Sequence, residues 1–75
     1  MSWKDEIIEA MPIREEITVQ EIVAKIRPGL SVYDQRIAYN KAYSILKKQI
    51  KWGTVQMVGF KRNENNLKVS VWMRM

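Results

Sequence analysis

At Gly53 the apolar rhythm of the chain changes, and that change limits the folds open to it. Before Gly53 the apolar residues recur at the helical period. After it they alternate, as strand residues do. The chain has 75 residues, enough for one domain, so helices and strands must share a single core. The expected class is therefore α+β, with three helices followed by a C-terminal β-hairpin. A domain this small buries only about 60% of the surface its unfolded chain exposes. There is no cysteine to brace it with a disulfide or a thiolate metal site, and no histidine.

The helix signals come in order. Ser2 is placed to cap a helix over about 3–11, with Asp5 three positions on. Trp3, Ile7, Ile8 and Met11 form its apolar face, and Pro12 follows. Residues Ile13 to Ile17 read as either a loop or a brief extended segment. Thr18-Val19-Gln20-Glu21 then fits a capping box, with Ile17 and Ile22 at the positions of a hydrophobic staple. Val19, Ile22, Val23 and Ile26 make the inner face of a helix over about 19–26, stopped by Pro28-Gly29. Ser31 can cap a third helix, over about 32–52, whose first residues, Val32 to Gln35, read equally as turn. Ala38, Ala42, Ile45, Leu46 and Ile50 share its core arc, with Tyr39 and Tyr43 along the edge.

Beyond Gly53, strands over about 54–60 and 67–74 flank the polar stretch KRNENN. Pairing Phe60 with Leu67, Val58 with Val69 and Gln56 with Val71 gathers most large apolar residues on one face. The same register sends Val55, Met57, Ser70 and Trp72 to the other. An exposed Val55, Met57 and Trp72 surface would suit a homodimer seam.

Charge divides the chain at its middle. Residues 1–30 carry four basic and six acidic side chains, a net of −2. Residues 31–75 carry nine basic side chains against Asp34 and Glu64, a net of +7, which together give the chain its +5. Between Gln35 and Gly53 there is no acid at all. A merely solvated helix face usually mixes acids with bases. The outward arc of the third helix holds Tyr33, Ile37, Asn40, Lys41, Ser44, Lys47 and Lys48, with Arg36 at its margin. Asn40 suits paired contacts with adenine and Arg36 with guanine. Lys41, Ser44, Lys47 and Lys48 suit phosphate oxygens. Ile37 is an exposed apolar spot, a neighbour for Tyr33, or a contact for a thymine methyl. The hairpin adds Lys61, Arg62, Asn63 and Lys68 as a second basic prong.

The segments Ala42-Tyr43-Ser44-Ile45-Leu46-Lys47-Lys48 and Lys51-Trp52-Gly53-Thr54-Val55 resemble the end of a recognition helix turning into a wing. With two short helices before them and a hairpin after, nearly the whole chain resembles the winged helix-turn-helix family of DNA-binding domains. The resemblance implies that the third helix enters the major groove and that Lys61–Asn66 form a wing over the backbone or minor groove. An aliphatic residue is usual where Gln49 stands, and Ile50 is expected to take its role.

The expected function is sequence-specific binding of double-stranded DNA, in a transcriptional regulator. The alternatives are a protein-interaction module on the same fold, or RNA binding with Tyr33 or Tyr39 stacked on unpaired bases. No enzyme, cofactor or metal is expected. Nothing pairs a carboxylate with a nucleophile, a phosphate loop or a second acidic cluster. No apolar run reaches the roughly 18–20 residues that span a bilayer. The acidic start MSWKDEIIEAM is unlike a signal peptide. No membrane partner and a cytoplasmic location are the corresponding expectations.

Overall fold

A computed structural model describes residues 2–75. It is an α+β fold of three helices and a three-stranded antiparallel sheet. In chain order the elements are α1 (Trp3–Ala10), β1 (Glu16–Thr18), α2 (Val19–Ile26), α3 (Val32–Ile50), β2 (Val55–Arg62) and β3 (Lys68–Arg74). The three helices are thus not consecutive, because β1 stands between α1 and α2.

Each helix starts where its capping residue directs. The Ser2 hydroxyl accepts from the Asp5 amide at 3.3 Å, and the Ser31 hydroxyl from the Asp34 amide at 3.2 Å. At Thr18 both halves of the capping box form. The Glu21 amide donates to the Thr18 hydroxyl, and the Glu21 carboxylate accepts from the Thr18 amide, each at 3.2 Å. Burial works to raise the Glu21 pKa. The Thr18 hydrogen bonds and the nearby Lys61 and Lys25 outweigh it and hold the group below its ordinary value. Ile17 and Ile22, the staple pair, are both buried.

Helix α3 ends at Ile50, two residues before the expected boundary. The Gly53 amide then donates to the Ile50 carbonyl at 3.1 Å. Gly53 has a φ of 74°, the left-handed conformation that glycine adopts at a helix C-terminus without strain. Its core side is built from Ala38, Ala42, Leu46 and Gln49. Ile50 does not replace Gln49 as expected. Gln49 is 8% exposed and Ile50 45%, because position 49 falls on the same arc as Ala42 and Leu46 while position 50 is turned toward its edge.

The sheet order is β1-β3-β2. Strand β1 pairs Ile17 with Trp72 and Thr18 with Val71, which makes β3 the central strand. On its other side β3 pairs Val55 with Arg74, Met57 with Trp72, Phe60 with Ser70 and Arg62 with Lys68. The expected register, Phe60 with Leu67 and Val58 with Val69, does not form. Two local features account for this. The turn closes on Asn63, whose Oδ1 accepts from the Asn65 and Leu67 amides, each at 2.9 Å. A β-bulge also interrupts the ladder between Met57 and Gly59, so alternation does not carry through β2.

The consequence is that β3 is buried on both faces: Val69 and Val71 are inside as expected, but so are Ser70 and Trp72. Trp72 is fully buried and Val55 nearly so, while Val58, Phe60 and Leu67 are exposed. Trp72 packs with Ile7, Met11, Ile22, Ala42 and Leu46 in one cluster. Its indole N–H donates to the Ser70 hydroxyl at 2.9 Å, which satisfies the one polar atom that its burial would strand. Val55, Met57 and Trp72 therefore do not form the exposed surface expected for a homodimer seam. Of the three, only Met57 is open to solvent.

Candidate nucleic-acid interface

Helix α3 lies across the domain with its apolar side on the core, and this turns the opposite side outward. Tyr33, Arg36, Ile37, Asn40, Lys41, Ser44, Lys47 and Lys48 are all exposed. They do not form one uniform face. Tyr43 points to the sheet, its ring edge-on to Trp72 with centroids 5.9 Å apart. Lys47 leans to that side, its ammonium 5.5 Å from the Tyr43 ring centre. Lys41 leans the other way, toward α1.

There Lys41 meets Trp3, its ammonium 4.3 Å from the ring centre. Arg27 at the end of α2 lies 4.8 Å from the same ring. The Arg27 guanidinium also donates twice to the Glu6 carboxylate, at 2.8 and 3.0 Å, the bidentate fork that favours arginine over lysine. That hydrogen bond holds the Glu6 carboxyl below its ordinary pKa, against a smaller opposing effect of burial. Lys41 is thus part of a clamp that ties α1, α2 and α3 together. Between the two edges stand Tyr33, Arg36, Asn40, Ser44 and Lys48. Among the described residues, no side-chain hydrogen bond or ion pair engages these five, so they are open to a partner.

The hairpin differs. Lys61 sits 3.7 Å from the Glu21 carboxylate. Arg62 donates to the Asn66 carbonyl at 2.9 Å. Lys68 rests over the Phe60 ring, 4.5 Å from its centre. Asn63 spends its side-chain oxygen on the turn itself, and Asn66 takes the left-handed φ of 61° that asparagine tolerates better than most residues. All four expected hairpin residues therefore have intramolecular partners.

The structure brings the two prongs together across a cleft of about 790 Å³ between α2, the first half of α3 and the hairpin tip. Arg36 and Tyr39 line it from α3, Asn63 and Lys68 from the hairpin, and Gln20 from α2. Gln20 and Leu67 had no functional signal in the sequence. Gln20 lies inside the capping box and Leu67 in an apolar strand pattern, and only the tertiary fold brings them beside Arg36.

Among the described residues no three His, Cys, Asp or Glu side chains come together to hold a metal ion. No helix is long and apolar enough to cross a membrane. No family model matches the chain, and neither a curated protein nor a solved structure does.

Proposed function

We propose that this protein binds double-stranded DNA through the exposed face of α3, in the manner of a winged helix-turn-helix transcriptional regulator. One observation carries the reading: the outward face of α3 has cations, amides and hydroxyls but no acid after Asp34, and among the described residues no side-chain hydrogen bond or ion pair engages its central residues. Arg36 and Asn40 sit one turn apart, at the spacing that lets two side chains reach neighbouring base edges. Lys47 and Lys48 lie in the last turn of α3. Their charge there also complements the helix dipole, so they serve stability and phosphate affinity together. The hairpin beyond β2 flanks this face and takes the place of a wing. Its lysines contribute less than their number implies, because each is already engaged.

Selection of bound sequences from a random duplex library tests this reading. A recovered consensus that loses preference at one or two positions in Asn40→Ala supports it. Recovery of no consensus above the unselected pool contradicts it.

Interaction with another protein is a second reading, favoured by a different observation. Trp52 is 79% exposed, and Ile50 and Met57 are open as well. Exposed tryptophan is a frequent anchor of protein interfaces. Trp52→Ala examined by analytical ultracentrifugation tests self-association there: a lower mass for the variant supports a seam, and an unchanged mass argues against one.

A further inference from the structure

The cleft beside α3 has a composition that open basic surface does not explain. Its volume, about 790 Å³, lies within the roughly 300–1,000 Å³ common for ligand pockets. Val23, Val32, Leu67 and Val69 give it apolar walls. Tyr39 enters it at the end of an aromatic series that starts in the core. Buried Trp72 meets Tyr43 edge-on, and Tyr43 stacks on Tyr39 with ring centres 6.2 Å apart and planes within 6° of parallel. One turn before Tyr39, Arg36 brings a guanidinium with no hydrogen bond or ion pair among the described residues, while Lys68 on the hairpin side rests over Phe60. Gln20 and Asn65 add side-chain amides. Arg27 also lines the cleft, but its charge is already answered by Glu6. Glu64 is the one carboxylate on the lining, at the hairpin tip, so an anion is favoured on the α3 side.

We propose that this cleft takes a single nucleotide, with its phosphate at Arg36 and its base against Tyr39. An aromatic ring accepts the face of any base, an arginine matches phosphate oxygens with two parallel donors, and amides answer the mixed donors and acceptors of a base edge. A base held in a duplex cannot present its face to a side chain, so the occupant is unpaired. A phosphate beside a planar ring has two sources. One is a free mononucleotide. The other is an unpaired nucleotide of a strand already held by α3, and this version rests on the DNA-binding reading above.

Amide chemical shifts of the labelled protein, titrated with 5′-AMP and 5′-CMP, test the proposal. Saturable changes at Arg36, Tyr39, Leu67 and Val69 are expected. Ribose 5-phosphate should bind about tenfold more weakly, since it lacks the stacking ring. Arg36→Ala should weaken 5′-AMP by a similar factor, about tenfold, and Arg36 is exposed, so the variant should fold. Tyr39→Leu is a second variant, used if its circular dichroism matches the parent. The proposal is overturned if mononucleotides give no saturable change at the cleft, or if ribose 5-phosphate binds equally well. A duplex with one bulged nucleotide, compared with a fully paired one, identifies the source. Binding about tenfold tighter to the bulge, with shifts at the cleft, assigns the strand. Equal binding, with mononucleotide binding intact, assigns the free nucleotide. Mononucleotide binding with no duplex binding at all upholds the cleft and removes the DNA-binding reading.

Discussion

Helix α3 and the β2–β3 hairpin carry similar chemistry in sequence and very different chemistry in space. Both carry lysine, arginine and asparagine. On α3, Arg36, Asn40, Ser44 and Lys48 project outward, with no side-chain hydrogen bond or ion pair among the described residues to hold them. On the hairpin, Lys61 faces Glu21, Arg62 holds its own turn, and Lys68 covers Phe60. The same residue types thus serve two purposes. On the helix they are available, and on the hairpin they help to fix a long two-stranded arm whose outer strand has little core beneath it. A count of positive charges treats the two alike. What decides availability is whether a carboxylate, carbonyl or ring lies within reach.

Trp72→Ala would break the comparison altogether, since Trp72 joins the hairpin to α3 through Tyr43 and to the core through Leu46 and Ile22. The expected loss is about 3–5 kcal/mol. A domain of this length has roughly 4–11 kcal/mol to lose at typical values per residue. Urea unfolding should show a large fall in midpoint. A next, smaller effect falls on binding alone. Arg36→Ala should cost about 1–3 kcal/mol in affinity for a preferred duplex, measured by fluorescence anisotropy, with the unfolding midpoint unchanged. Gly53→Ala acts at the joint between the two regions. Its cost should be about 1 kcal/mol of stability, through the left-handed φ alone, because a Cβ there meets nothing within 4 Å.

The clamp behind α3 gives a pH test. The Glu6 and Glu21 carboxyls both lie below their ordinary pKa values. A group depressed in the folded state contributes stability that is complete above its unfolded value, about 4.3 for glutamate. That contribution is lost as the pH falls through the folded value. Urea midpoints measured from neutral pH down to about 3 should therefore drop on the acid side. Glu6→Gln should shallow that drop, since it removes one of the two depressed groups. An unchanged acid limb in Glu6→Gln would show that the Arg27 fork does not persist in solution.

The helices were legible in the sequence because their signals are local. Ser2, Thr18 and Ser31 each cap a helix within three residues of themselves, and the apolar period of α2 and α3 follows from the helix alone. The sheet was less legible because its decisive contacts are distant. Strand β1 has only three residues, Glu16–Thr18, too few to show a period. Its pairing with β3, Ile17 against Trp72, puts β3 in the middle of the sheet, where residues Val69 to Trp72 are all buried. Without β1 the hairpin reads as two strands with one apolar face, made of Val58, Phe60, Leu67, Val69 and Val71, of which only Val69 and Val71 are buried. The bulge at Val58 and the Asn63 turn then moved the register further. The outward arc of α3 follows from periodicity, and all eight of its expected residues are exposed. The engagement of Lys61 by Glu21 and of Lys41 by Trp3 links residues some forty positions apart, and no local pattern announces it.

The central claim, that α3 supplies the free charge and the hairpin does not, is tested most directly by the salt dependence of duplex binding. Each phosphate contact adds about 0.9 to the slope of log affinity against log salt concentration. Across roughly 50–200 mM salt, Lys48→Ala should lower the slope by about that amount and Lys61→Ala by less than half of it. A flat slope in the parent protein, or an equal reduction in both variants, would contradict the account.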